Sequence, residues 1–143
     1  MKPIIKLHLA ILFAFAATLT AVHAADITGK WKSEFDTQIG HLKYMYELKA
    51  DGEKLTGKAF RDSPDGTKTT IELIEGKIKG DEVSFVEPIK FHDQDVRIEY
   101  KGKLDGDQIK FTRKVGDFAT TEIVAKREKD KTEKEKASSG DSK

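Results

Sequence analysis

The sequence predicts an all-β protein, an antiparallel up-and-down barrel of about eight strands. One observation is a repeated phrase: Gly76–Phe85 and Gly102–Phe111 share the pattern Gly-Lys-apolar-x-Gly-Asp-x-apolar-x-Phe. Apolar alternation on both sides of a Gly-Asp turn is typical of a β-hairpin. A second observation is that no segment of useful length has helical periodicity. The two together predict a chain of consecutive hairpins.

Alternation and turn residues place the strands in order. The predicted strands are Ile27–Thr37, His41–Ala50, Lys54–Arg61, Lys68–Lys79, Glu82–Phe91, Asp95–Leu104, Gln108–Val115 and Ala119–Arg127. The segments between them are rich in Gly, Asp and Pro residues, which favour the backbone angles of tight turns. In the fourth strand, Ile71 and Leu73 are out of phase with Ile74 and Ile78, and this break predicts a β-bulge.

One face of the predicted strands is apolar and the other is charged. Eight of the ten aromatic residues after residue 24 fall on the apolar face, and only Phe60 and Phe118 fall off it. A sheet with one apolar face must close on itself or pack against another layer, and without helices closure into a barrel is expected. Because the outward faces are charged, the pattern is not that of a lipid-facing barrel.

The two chain ends are predicted to lie outside the barrel domain of residues 25–128. Residues 1–24 combine an early positive charge, an apolar run from Leu7 to Ala21 and small residues before position 25, which is typical of a signal peptide. The alternative is an uncleaved membrane anchor, although the run is short for a spanning helix. Residues 129–143 contain no large apolar side chain, so they are predicted to form a disordered charged tail. We therefore expect a periplasmic or secreted protein with no membrane attachment after cleavage.

The charge composition argues against nucleic acid as a partner. The formal charge of +1 becomes −1 once Lys2 and Lys6 are removed with the signal peptide. A near-neutral, evenly mixed surface gives no electrostatic case for nucleic acid. The chain has no cysteine, and stability must come from apolar burial.

The start of the first strand, Ile27-Thr28-Gly29-Lys30-Trp31, resembles the opening of the calycins, the superfamily of lipocalins, fatty-acid-binding proteins and avidins. Small exported bacterial β-barrel proteins show a similar start. The resemblance covers roughly residues 27–127 and implies a lipocalin-like barrel. It also implies a structural role for Trp31 and Arg127, with the arginine lying across the indole at the closed end.

Charges that alternation turns inward are the candidate binding residues. Glu87 and Arg113 are the two charged residues that alternation turns inward. Buried charges are costly unless they are paired. They pair with each other or lie at the rim, or else they line a polar, aromatic pocket. The candidate ligand-binding residues are Tyr44, Tyr46, Tyr100, Arg113, Glu87 and Ser33.

Catalysis has little support. Glycosidase chemistry needs two facing carboxylates, and alternation turns only Glu87 inward. The segment from His92 to Asp95 is better explained as a polar turn than as a metal site. We therefore expect no enzyme, no metal and no cofactor, but a non-catalytic binding or accessory module for a small amphipathic ligand or a glycan. The alternative is a structural or protein-interaction module whose barrel is filled.

Overall fold

Nine strand segments follow one another in residues 26–129, the part of the chain that the computed structural model describes. They are β1 (Gly29–Thr37), β2 (Gly40–Asp51), β3 (Lys54–Asp62), β4 (Lys68–Glu72), β5 (Ile74–Lys79), β6 (Glu82–Phe91), β7 (Gln94–Asp105), β8 (Gln108–Val115) and β9 (Ala119–Arg127). The predicted signal peptide and nearly all of the predicted tail lie outside the described residues.

The bulge predicted near Leu73 and Ile74 is confirmed, but the single strand predicted over residues 68–79 is wrong. The chain breaks into β4 and β5 at Leu73, and the register against β6 shifts between Ile74 and Lys77. Glu75 takes a left-handed φ of 53° at the break. The shift lets Ile71 and Leu73 of the first half and Ile78 of the second all face the interior, whereas Ile74 at the break is 39% exposed. The segments β4 and β5 therefore act as two halves of one barrel strand.

The strands close into an eight-stranded antiparallel barrel with up-and-down order, as predicted. Apart from β4 and β5, which do not pair with each other, each strand pairs with its neighbour in sequence. β3 pairs with both halves of the broken strand, and β1 pairs with β9 to close the barrel. Closure of this kind leaves one face inside and one outside along every strand, which is why alternation dominates the sequence.

The barrel interior is packed with aromatic rings. Tyr46, Phe85, Tyr100 and Phe111 are almost fully buried, and their ring centroids lie 4.6–6.5 Å apart. Offset and edge-on aromatic pairs at these distances stabilise a core beyond the area that they bury. These rings fill the middle of the barrel.

Phe91 corrects the predicted interior. Alternation along the strand predicts that its ring points inward, but the side chain is 55% exposed and packs edge-on against His92. Phe91 is the last residue of β6, and the hairpin tip carries it past the rim, where no facing strand covers it. Period-two alternation assigns a face to a residue and says nothing of its height in the barrel.

The two ends of the barrel differ in their turns. At the end near Trp31, the β2–β3, β5–β6 and β7–β8 hairpins turn through Gly52, Gly80 and Gly106, each beside charged residues. At the opposite end, the β1–β2, β6–β7 and β8–β9 hairpins hold three large apolar side chains that are 55–80% exposed: Ile39, Phe91 and Phe118. We call the end near Trp31 the closed end and the opposite end the open end.

Candidate functional site

A buried carboxylate lies at the centre of the polar interior. Glu87 of β6 is fully buried, and it accepts hydrogen bonds from two tyrosine hydroxyls. Tyr44 Oη donates to Oε1 at 3.1 Å, and Tyr100 Oη donates to Oε2 at 2.7 Å. Hydroxyl donors compensate much of the cost of taking a carboxylate out of water.

Arg113 of β8 lies next to this carboxylate without touching it. Its Nε donates to Tyr100 Oη at 3.0 Å, so the two charges are joined through the tyrosine oxygen and not by a direct ion pair. The guanidinium carbon lies 5.2 Å from the ring centroid of Phe35 and 5.9 Å from that of Tyr44, and these two rings stack on each other at 5.5 Å. Arg113 is thus held by one hydrogen bond and by aromatic faces.

The terminal nitrogens of Arg113 are left with donors to spare. Within residues 26–129, Nη1 and Nη2 make no hydrogen bond, although the residue is only 6% exposed. Burial by itself lowers the pKa of Arg113, but nearby Tyr100, Tyr44 and Glu87 outweigh burial and hold the pKa above its usual range. The guanidinium therefore stays charged and offers unpaired donors.

Arg61 is a third inward charge, which the sequence analysis missed. It pairs with Tyr44 across β2 and β3, and its Nε is fully buried with no hydrogen-bond partner among the described residues. The signal was present in the third strand, where Leu55, Gly57, Ala59 and Arg61 share one face. Two guanidinium groups with unused donors therefore flank Tyr44.

The other sequence-predicted binding residues lie deeper or are already satisfied. Tyr46 and Tyr100 are almost fully buried, and Tyr46 Oη donates to Tyr100 Oη at 3.4 Å. Burial raises the pKa of both hydroxyls well above the usual range for tyrosine. Ser33 Oγ donates to the Val124 carbonyl at 2.9 Å. Of the predicted set, Tyr44 and Arg113 are the two whose side chains lie against the Phe35 ring.

Trp31 and Arg127 meet at the closed end. The guanidinium carbon of Arg127 lies 4.3 Å from the indole, and Nη1 and Nη2 donate to the carbonyls of Thr28 and Asp26 at 3.1 and 2.5 Å. The indole nitrogen donates to the Ile27 carbonyl at 2.8 Å. These contacts tie the chain before β1 to the end of β9.

Neither histidine of the described residues enters the interior. His41 lies on the outer face with Nδ1 2.8 Å from Asp36 Oδ1, and His92 is exposed in a turn. Within residues 26–129, no group of three or more His, Cys, Asp or Glu side chains is arranged to hold a metal ion. In the same range, no helix is long and apolar enough to cross a membrane.

Two depressions lie on the outside of the barrel. One of about 550 Å³ runs over β1 to β4 around Met45 and Phe60, and one of about 490 Å³ lies over β5 to β7 among lysines. The first is also lined by Tyr44 and Arg61, and neither lining includes Glu87 or Arg113.

Comparison of the chain with protein-family models, with curated proteins and with solved structures finds no match. The eight-stranded antiparallel barrel is compatible with a calycin-like fold.

Proposed function

We propose that this protein is a calycin-like, non-catalytic binding protein that takes a small amphipathic anion at the open end of its barrel. The observation that carries the proposal is the guanidinium of Arg113: among residues 26–129 it is held by one hydrogen bond, through Nε, and neither terminal nitrogen makes one, although only 6% of the residue is exposed. Residues 1–24 are part of the same proposal, as the signal for export.

The free donors select an anionic group. The two terminal nitrogens of a guanidinium form a planar fork that matches the two oxygens of a carboxylate, sulfonate or phosphate group. Arg61 adds a second cation on the other side of Tyr44. An anion here would occupy donors that have no partner among residues 26–129, which is worth more in a site shielded from water than at the surface.

The rings around Arg113 select a flat apolar body on the ligand. Phe35 and Tyr44 stack beside the guanidinium, and Ile89 and Val115 are partly buried on the inner wall near the open end. The aromatic cluster of Tyr46, Phe85, Tyr100 and Phe111 fills the barrel below. The ligand body therefore lies in the mouth, with its acidic end towards Arg113.

The same packing supports the alternative, a structural barrel with no ligand. Four rings at van der Waals spacing and a carboxylate satisfied by two hydroxyls are what a stable filled core requires. Arg113 separates the two proposals, because its terminal nitrogens make no hydrogen bond among residues 26–129 and are not sealed from solvent, so an anion can reach them.

The test uses anilinonaphthalene sulfonate, a fluorescent dye with a flat apolar body and one sulfonate, and its uncharged parent anilinonaphthalene. We expect the wild-type protein to prefer the sulfonate. We expect Arg113→Gln to weaken sulfonate binding at least tenfold, about 1.4 kcal/mol, with little effect on the parent compound. Fluorescence titration of both compounds gives the ratio of affinities, which does not depend on a small loss of stability.

Arg97→Gln is the matched control, because Arg97 is a half-exposed arginine on the outer face of β7, paired with Glu75. It should leave the ratio unchanged. An equal ratio in the wild type and Arg113→Gln, or a loss confined to Arg97→Gln, contradicts the proposal and favours the filled barrel.

A further inference from the structure

The seam that closes the barrel is paired along only part of its length. Every consecutive hairpin of the barrel with two full strands pairs over eight or more residues, as between Gly29 and Thr37 of β1 and their partners in β2. By contrast, the register between β1 and β9 contains Trp31 with Arg127 and Lys32 with Lys126 only. Towards the open end, residues 33–37 of β1 and 119–124 of β9 face each other without a ladder.

The directions in which the amides and carbonyls point show which of them have no partner in a ladder. Lys30 turns its carbonyl to the β9 side, where it accepts from the Glu128 amide at 2.8 Å. Because this direction alternates along a strand, Glu34 and Asp36 turn their amides and carbonyls the same way. On β9, the Val124 carbonyl faces β1 and receives the Ser33 hydroxyl in place of a backbone amide.

Exposed apolar side chains lie along the same seam. Ile39 at the tip of the β1–β2 hairpin is 69% exposed, Phe118 in the β8–β9 turn is 80% exposed, and Val124 on the outer face of β9 is 41% exposed. The β1–β2 and β8–β9 hairpins are the two that flank the seam. Three of the five exposed large apolar side chains of the described residues therefore border the unpaired edges.

Nothing in the unpaired stretches protects them from added strands. Natural sheet edges are usually blunted by lysine, proline or a bulge. Residues 33–37 and 119–124 contain no lysine, arginine or proline, and their ladders with β2 and β8 show no register shift. Their outward charges are all acidic: Glu34, Asp36 and Glu122.

We propose that the open half of the β1–β9 seam is a docking site for an extended, basic segment of another protein, which adds as a strand to the edge of β1 and displaces the open half of β9 there, breaking the Ser33–Val124 hydrogen bond. Main-chain hydrogen bonds to Glu34 and Asp36 supply the affinity. Alternate basic side chains of the segment face the acidic outer row, and its apolar side chains cover Ile39 and Phe118.

A second copy of the chain is a poorer occupant of this edge. Antiparallel pairing of β1 with β1 of another molecule sets Glu34 and Asp36 against the same residues of that molecule. Like charges directly opposite each other on a sheet are destabilising. The acidic rows therefore favour a basic partner over self-association.

The test measures amide hydrogen exchange by NMR on the full protein, with and without a short end-blocked peptide of alternating lysine and valine. The peptide should slow exchange at the amides of Glu34 and Asp36. The same peptide N-methylated at alternate residues, which has equal charge but fewer backbone donors, should bind at least tenfold more weakly. Unchanged exchange at these two amides, or equal binding of the methylated peptide, overturns the proposal.

A pair of variants at one position checks the same point from the protein side. Asp36→Ala keeps the backbone amide of residue 36 and Asp36→Pro removes it, so proline should weaken binding at least tenfold relative to alanine. Proline is tolerated at a sheet edge whose amide faces away from the paired strand. Equal binding by the two variants contradicts the added strand. Slow exchange at Glu34 without peptide, together with a dimer in sedimentation, shows that a second copy is the occupant and also overturns the proposal.

Discussion

Arg113, Tyr100 and Glu87 show how this chain keeps opposite charges inside a small barrel. Tyr100 Oη accepts from Arg113 and donates to Glu87, so a single hydroxyl is bonded to both charges. Burying an ion is costly unless hydrogen bonds replace its water, and Glu87 meets that condition with two donors. Arg113 meets it only in part, and this difference is why the proposed ligand site centres on the arginine.

The residue scale also gives a pH prediction at His41. Hydrogen bonding to Asp36 first, and to Glu34 next, raises the pKa of His41 above the ordinary value of 6.5. A raised folded-state pKa means that the protonated imidazole stabilises the fold below the unfolded-state pKa. That contribution is lost as the pH rises through the folded-state pKa. NMR titration of the His41 ring should therefore give a pKa above 6.5 that falls when Asp36 is changed to Asn.

In that titration, Asp93→Asn serves as the control because Asp93 lies in a different hairpin. A wild-type His41 that titrates at or below 6.5, or that ignores Asp36→Asn, means that the contact with Asp36 does not form in solution.

At the scale of the strands, the repeated ten-residue pattern contains two kinds of glycine, one in a turn and one within a strand. The second glycine of the later copy, Gly106, turns the hairpin with φ of 60° and has open space around its Cα. The first glycine, Gly102, lies within a strand, where an added Cβ would come 2.3 Å from the Lys110 carbonyl oxygen and 2.6 Å from Phe111. Gly76 in the earlier copy meets the Leu55 carbonyl oxygen in the same way. Glycine therefore lets neighbouring strands bend closely together near the closed end.

We predict that Gly102→Ala destabilises the fold more than Gly106→Ala. The first substitution forces a strand backbone to move and should cost about 1–3 kcal/mol or more. The second places alanine in a left-handed turn position and should cost about 1 kcal/mol. Denaturant unfolding of both variants compares the free energies of unfolding, and an equal cost would show that the strands do not approach as closely as described.

Most of the strands could be predicted from sequence because hairpin turns and period-two alternation are local. The same local signals found the bulge at Leu73. They could not find the short β1–β9 register, because that pairing joins the first and last strands and leaves no mark near either one. They also misplaced Phe91, whose exposure depends on how far a hairpin rises past its neighbours.

The candidate site was predicted unevenly for a similar reason. Alternation put Glu87 and Arg113 inside, but the tyrosine oxygen between them follows from register across β6, β7 and β8. The same rule applied to β3 places Arg61 on the inner face with Leu55 and Ala59. No local pattern shows that the terminal nitrogens of Arg113 lack partners.

At the scale of the whole molecule, the two ends of the barrel differ in their contacts and in the side chains that they expose. At the closed end, Arg127 ties the last strand to the first by stacking on Trp31 and by two hydrogen bonds to the carbonyls of Thr28 and Asp26. At the open end, cationic donors lie inside a rim that exposes Ile39, Phe91 and Phe118. We propose that the closed end supplies rigidity and that the open end binds the ligand.

The central claim is that the open end holds a small amphipathic anion through Arg113. Native mass spectrometry of the protein, purified from the cells that make it, tests this most directly against an Arg113→Gln variant prepared in parallel. The account predicts an added small-molecule mass on the wild type that is released on denaturation and is absent from the variant. The same added mass on both proteins, or none on either, contradicts it.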